Sequence, residues 1–185
     1  MGKFKLTLIL SLFYLASCSS TKADKSPFID LSTLVPDANY DIRYYGKNNF
    51  VGTQINGYLA PKCLIHKDAA QALVAVNNEL QQNGMRLKIF DCYRPKKAVA
   101  HFMSWVKDKN DTSTKAAYYP NLPKQELVGD YIAETSGHSR GYTIDLSIEK
   151  LVDGKYQELD MGSPFDMFDT LSNTDDPRIG KEQKK

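Results

Sequence analysis

The chain has three histidines, His66, His101 and His138, and only the last stands in a setting that suggests chemistry. His138 lies in Ser136-Gly137-His138-Ser139-Arg140-Gly141-Tyr142-Thr143-Ile144-Asp145. Gly137 and Gly141 let the chain bend after the histidine, and Asp145 falls on the polar side of an alternating run. A neutral imidazole and a carboxylate that converge are good zinc ligands, and a catalytic zinc takes three protein ligands and a water. A His and an Asp this far apart also fit a hydrogen-bonded surface loop. His101, beside Phe102, reads as partly buried packing, and His66 as the start of a helix. Cys63 and Cys92 lack the CxxC spacing of a closed metal site. They read either as a disulfide of an oxidising compartment or as two small buried hydrophobes.

The elements that must position these groups follow from periodicity. Ala69, Leu73, Val76 and Leu80 fall at helical spacing, and Asn83-Gly84 supplies a stop. Residues 86–91 alternate as a strand, with Leu87 and Ile89 on one face. Pro95 suits the first turn of a second helix, where its missing N–H costs nothing. Val99, Phe102, Met103 and Val106 form that helix's apolar stripe. Residues 27–60, rich in Tyr, Asn and Gly, predict short strands and turns. Across 136–148, Ile144, Leu146 and Ile148 share one side and Thr143, Asp145 and Ser147 the other, which predicts a strand buried on its apolar side. Helices and strands in this irregular order point to an α+β fold.

At 185 residues, 42% hydrophobic and 25% charged, the chain suits one compact domain and excludes disorder, collagen and a coiled coil. Lys3 and Lys5 lie in the first 17 residues, which hold no acid; without them 22 basic residues face 22 acidic ones. No basic surplus remains to bind nucleic acid. Leu6 to Leu15 forms a signal-like apolar stretch, too short to span a bilayer as a helix. Leu15-Ala16-Ser17-Cys18 resembles a bacterial lipobox, which predicts cleavage before Cys18 and acylation of its sulfur; a plain secretory signal is the alternative. Acyl chains on Cys18 would anchor the protein to a membrane. Ser19 after that cysteine resembles lipoproteins sorted to the periplasmic face of the outer membrane. The expected organisation is a lipoprotein signal peptide over 1–17, a tether over 18–30, a domain over 31–172 and a polar tail over 173–185.

The segment from Ser136 to Asp145, as Ser-x-His-x-x-Gly-x-x-x-Asp, resembles the zinc D-alanyl-D-alanine dipeptidases of the VanX type. Phe90-Asp91-Cys92-Tyr93-Arg94-Pro95 resembles that family's Asp-x-Tyr-Arg-Pro element. Tyr44 to Gly52 with Asn49-Phe50, Tyr118-Tyr119-Pro120-Asn121 and Met161-Gly162-Ser163-Pro164-Phe165-Asp166 agree, in the family's order, from about Leu31 to Asp169. The resemblance implies a small antiparallel sheet with flanking helices and one zinc ion, with His138 and Asp145 as two of its three ligands. It implies that Arg94 stabilises the negative charge growing on the scissile carbonyl. Ser136, Tyr44 and Asp166 would hold the dipeptide, with Asp166 facing its ammonium. Each has a plainer reading: Arg94 as the ion-pair partner of Asp91, Tyr44 as a core aromatic, Asp166 as a turn residue.

One departure stands out. The family closes its site with a Glu-x-x-His element, usually Glu-Trp-Trp-His, that supplies the general base and the third zinc ligand. No histidine follows His138, the single tryptophan is Trp105, and Ile179 is the one large apolar residue after Ser172. The expectation is a domain without the family's last helix and strand, with neither general base nor third ligand. Its hydrolysis of D-Ala-D-Ala would be impaired. The rivals are a non-catalytic envelope lipoprotein that binds D-Ala-ended peptides, and a related D,D- or L,D-carboxypeptidase. Expected partners are a small D,D-peptide of peptidoglycan metabolism and a membrane through the lipid anchor, with no nucleic acid.

Overall fold

The computed structural model describes residues 26–184; the signal segment, Cys18 and most of the tether lie outside the described residues. The spine is β4 (Met85–Asp91), whose alternation sends Leu87 and Ile89 into the core against α1 (Lys67–Gln82). β5 (Asp145–Val152) runs antiparallel to β4, placing Leu146 opposite Ile89 and Ile148 opposite Leu87. β6 (Lys155–Glu158) pairs antiparallel with β5 through a tight turn in which Asp153 and Gly154 have φ of 51° and 76°. Two positive φ angles in succession are what a two-residue hairpin needs, and an Asp-Gly pair supplies them.

On its other edge β4 pairs with β2 (Asn39–Tyr40), and this pairing is parallel. The sheet, in the order β2-β4-β5-β6, is therefore mixed rather than antiparallel as expected. Parallel neighbours need a long crossover, and the chain between Tyr40 and Met85 supplies one that contains α1. β1 (Phe28–Asp30) and β3 (Leu64–His66) form a separate antiparallel pair. With α2 (Lys96–Lys107) and α3 (Lys115–Tyr118), the fold is α+β, with three α-helices among the described residues.

α1 starts and stops where the sequence predicts, and α2 starts one residue after the expected Pro95. His66 caps α1 by accepting from the Asp68 N–H, and Gly84, at φ 67°, lets the chain leave after Asn83. Pro95 stands just outside α2, where no N–H is required. Val99, Phe102 and Val106 are buried on α2, joined by Ala98 and Trp105. On α1 the buried line is Ala70, Leu73 and Asn77, while Val76 is 45% exposed. The cause is polar: the Asn77 side chain donates to both oxygens of Asp37, which turns that face inward.

The segment before β5 departs further from expectation. Residues 137–140 form a short 3-10 helix, and the strand starts only at Asp145. Its more buried side carries Ser147 and Glu149, while Leu146 is 36% exposed. Glu149 is tolerated inside because Asn39 Nδ2 and Arg86 donate to its two oxygens at 2.7 Å. The polar tail folds back on the body, with Arg178 on the buried Asp169 and Ile179 over Gly162.

Cys63 and Cys92 are joined in a disulfide, with Cα atoms 5.2 Å apart and a sequence separation of 29. The bridge ties the entry of β3 to the residue just after β4. A cross-link over a loop of this length typically stabilises by about 2–4 kcal/mol through the unfolded state. The double variant Cys63→Ala, Cys92→Ala is expected to unfold at lower urea concentration by that difference; an unchanged midpoint would show that the bridge does not form.

Candidate active site

The end of β4, the start of α2 and the 3-10 turn before β5 meet at one cavity of about 330 Å³. Tyr44, Arg94, Ser136, His138, Asp145 and Asp166 all line it. The sequence spreads these residues from position 44 to position 166, and the fold brings all six to one cavity.

Behind them lies Asp91, wholly buried at the last position of β4. One of its oxygens accepts from the Tyr58 hydroxyl at 2.6 Å and from the Cys92 N–H at 2.9 Å. The other accepts from Arg94 Nε at 2.9 Å and lies 3.4 Å from His138 Nδ1. Arg94 spans the site: its Nη2 reaches Asp145 at 3.2 Å, and its guanidinium lies 5.2 Å from the Tyr44 ring centroid and 5.4 Å from that of Phe102. The plain pairing of Arg94 with Asp91 and a place at the site therefore coexist.

His138 is held from three sides. Its own N–H donates to Ser136 Oγ, the cap of the 3-10 turn. Nδ1 lies 2.9 Å from the Cys92 carbonyl, a contact in which the ring must be the donor. That leaves the Nε2 lone pair for the other side, where Asp145 Oδ1 stands at 3.3 Å. The turn closes at Gly141, with φ of 78°, where an added Cβ would collide with the Phe28 ring. A histidine whose second nitrogen is fixed by a backbone carbonyl is the arrangement that metal-binding histidines use. Asp91, His138 and Asp145 each offer a donor atom within 4.8 Å of the others, so this corner is a possible metal site.

Tyr44 is both a core aromatic and a site residue. Its ring is buried among Phe50, Tyr58 and Phe102, and its hydroxyl donates to Asp166 at 2.9 Å to one oxygen and 3.1 Å to the other. Asp166 is partly buried with φ of 62°, a conformation that suits few side chains but admits Asp and Asn. His66 and His101 stand outside the cavity, one capping α1 and the other accepting from the Asn56 N–H.

A model of D-ala-D-ala dipeptidases of the M15 peptidase family matches residues 24–185. The chain belongs to the D-Ala-D-Ala dipeptidase family. It is 35% identical over 149 residues to a D-alanyl-D-alanine dipeptidase of Streptomyces coelicolor, covering 80% of this chain and 73% of that protein. The protein of the same name from Enterococcus faecalis is 35% identical over 157 residues, 84% of this chain and 77% of its own. That of Escherichia coli is 32% identical over 157 residues, 85% and 70% respectively.

The charges of this dipeptidase-family site pull on one another. Burial alone would lower the His138 pKa, but the hydrogen bond and charge of Asp145 more than offset it, so His138 sits above the ordinary histidine value. Burial pushes Asp91 up, against the pull of Arg94 and Tyr58. Asp166 is driven to about 7, by burial first and then by the charge of Asp145, against the Tyr44 hydrogen bond. Sequence reading missed Asp91 as an organising group and Tyr58 altogether. The Asp-x-Tyr-Arg-Pro element contained the first, whereas nothing local marks Tyr58, whose partner lies 33 residues away.

The raised Asp166 has a consequence for stability. Because its folded pKa lies above the ordinary 3.8, the folded state keeps a proton that the unfolded chain releases, and this advantage is lost as pH rises towards 7. Asn at this position keeps the acceptor for Tyr44 and tolerates the backbone. Asp166→Asn should therefore stabilise the metal-free protein at pH 8 by about 1–3 kcal/mol, a figure reduced for partial exposure, and by nothing below pH ~4. Urea melts at the two pH values test this; a loss of stability at pH 8 would contradict it.

Proposed function

We propose that the cavity binds D-Ala-D-Ala and supports its zinc-dependent hydrolysis in peptidoglycan metabolism. The observation that carries this reading is the line-up of His138 Nε2, Asp145 and Arg94 in the cavity that Asp166 also lines. His138 and Asp145 would hold the zinc, since an imidazole nitrogen and a carboxylate oxygen match its ligand chemistry. Asp91 is less suited to bind it, because both its oxygens already accept from Tyr58, Cys92 and Arg94. A bound zinc supplies Lewis acidity for the scissile carbonyl.

The remaining roles belong to the chain's own groups. Asp166, steadied by the Tyr44 hydroxyl, takes the peptide ammonium. Ser136 Oγ already accepts from His138 N, which leaves its O–H to donate to the peptide. Arg94 commits Nε to Asp91 and Nη2 to Asp145, and a guanidinium has five N–H donors. Its remaining donors stabilise the oxygen that becomes negative as the peptide bond is attacked. Residues 1–185 contain no Glu-x-x-His, and the titratable groups lining the cavity are Tyr44, Arg94, Tyr131, His138, Asp145 and Asp166.

Release of D-Ala by zinc-supplemented protein, followed beside zinc content, tests this assignment. Arg94→Ala should keep its zinc and lose about 10²–10³ in rate, as for a removed oxyanion donor. His138→Ala and Asp145→Ala should lose the zinc itself. If both keep it, or if D-Ala-D-Ala is neither bound nor cleaved, the reading fails.

The disulfide supports export to an oxidising compartment, and with the lipobox it supports a lipid-anchored envelope enzyme, at the periplasmic face of the outer membrane. Cys18→Ser should then move the protein from the membrane fraction to the soluble one; no redistribution would remove the anchor from the account.

A further inference from the structure

An apolar face that the dipeptide cavity does not use surrounds the start of the domain. Leu59 is 91% exposed and lines a groove of about 190 Å³ together with Leu64, Tyr93 and Pro95. Tyr93 packs edge-on against Phe28, with ring centroids 5.1 Å apart, and Phe28 lies opposite His66 in the β1–β3 pair. None of Leu59, Leu64, Tyr93, Pro95 and Phe28 lines the dipeptide cavity. A lone exposed leucine is ordinary, but this one continues into a partly exposed aromatic surface. Cations stand around it. Lys62 lines the groove, Lys97 lies beside its Gly57, and the Lys67 N–H donates to the Pro27 carbonyl; all three side chains are exposed. The nearby carboxylates are Asp30, paired with Lys62 at 3.3 Å, and Asp68, 3.4 Å from His66.

Chain length says what this face meets. Ser26, the first described residue, is two positions before Phe28, so the polypeptide joins the domain at the edge of this face. Eight residues lead from Cys18 to Ser26. Fully extended they span at most about 26–29 Å. A domain of about 160 residues has a radius of gyration of about 15 Å, and so is about 40 Å across. An anchor at Cys18 therefore cannot bring the far side of the domain to a bilayer. It holds the face around Phe28 next to one. Apolar side chains rimmed by cations are what an interfacial surface needs, the first to enter the headgroup boundary and the second to meet anionic lipid.

We propose that this face rests on the bilayer to which Cys18 is acylated, with Leu59, Leu64 and Tyr93 at the headgroup boundary and Lys62, Lys67 and Lys97 facing anionic phospholipid. The domain is then oriented on the membrane by its own surface instead of hanging free from a tether. The inference rests on the lipid-anchored reading above and deepens it. The β5–β6 hairpin supplies an internal control. Leu151 and Tyr156 are paired there, 46% and 41% exposed, next to the first residues of β4, whereas Tyr93 follows its last residue.

Hydroxyl-radical footprinting, read by mass spectrometry, tests this on protein purified from membranes and placed in phosphatidylethanolamine–phosphatidylglycerol vesicles. The reference is the unacylated Cys18→Ser protein in solution. On vesicles Leu59 and Tyr93 should be oxidised about threefold or more slowly, since an interfacial face is withdrawn from water. Leu151 and Tyr156 should react at the same rate in both samples. Leu59→Asp, at an exposed position, should restore the oxidation of Tyr93 while the acyl chains keep the protein on the vesicles. No protection of Leu59 and Tyr93, or equal protection of the hairpin, would overturn the proposal and leave the anchor intact. If Leu59 is already slow to react in the soluble protein, a protein surface covers it and the proposal falls. If the mass of the purified protein shows no acyl chain on Cys18, the proposal and the anchored reading fall together.

Discussion

A single buried carboxylate organises this molecule. Asp91 has no solvent contact, and a charge there is costly unless every lone pair finds a donor. Tyr58, the Cys92 N–H and Arg94 meet that demand, with His138 Nδ1 close by. Satisfying the carboxylate fixes the guanidinium of Arg94 where it lines the cavity. The same corner turns the Cys92 carbonyl to His138 and so decides which ring nitrogen faces Asp145. Removing one partner would leave a charge or a donor stranded in the core, the costly side of the hydrogen-bond balance.

The rest of the fold holds that corner still. Leu87 and Ile89 seat β4 in the core, and the disulfide anchors the residue that follows Asp91. Gly141, which fits only because it lacks a Cβ, closes the turn carrying His138 against Phe28. Opposite, Tyr44 belongs to the aromatic core and yet ends in a hydroxyl on Asp166, so the core's rigidity passes directly to the site. Asp166 is the strained member, with a left-handed backbone and a carboxyl that burial makes hard to ionise. Such local cost is typical of residues that line functional sites.

Much of this was legible in the sequence, for identifiable reasons. α1, α2 and β4 follow from hydrophobic period and from the stop and start residues Asn83, Gly84 and Pro95. The residues that line the cavity were legible as motifs, because family resemblance preserves order where geometry is hidden. Other features were not. The parallel pairing of the two-residue β2 leaves no periodic trace. β5 can bury Glu149 because Arg86 and Asn39 reach across to it, contacts spanning 63 and 110 residues. The Asp153-Gly154 pair did announce the β5–β6 hairpin, and a reading that ended the strand at Ile148 passed it over. Asp91 was visible as a letter in a motif, but its hub role depends on Tyr58 and His138, which no local pattern links to it.

The most direct test is a crystal structure of the zinc-loaded protein, with anomalous scattering to place the metal. The account predicts zinc within about 2.0–2.2 Å of His138 Nε2 and of an Asp145 oxygen. Asp91 should remain on Tyr58, Cys92 and Arg94, and His138 Nδ1 on the Cys92 carbonyl. Zinc bound directly by Asp91, or by His138 through Nδ1, would contradict the claim that this buried carboxylate organises the site from behind.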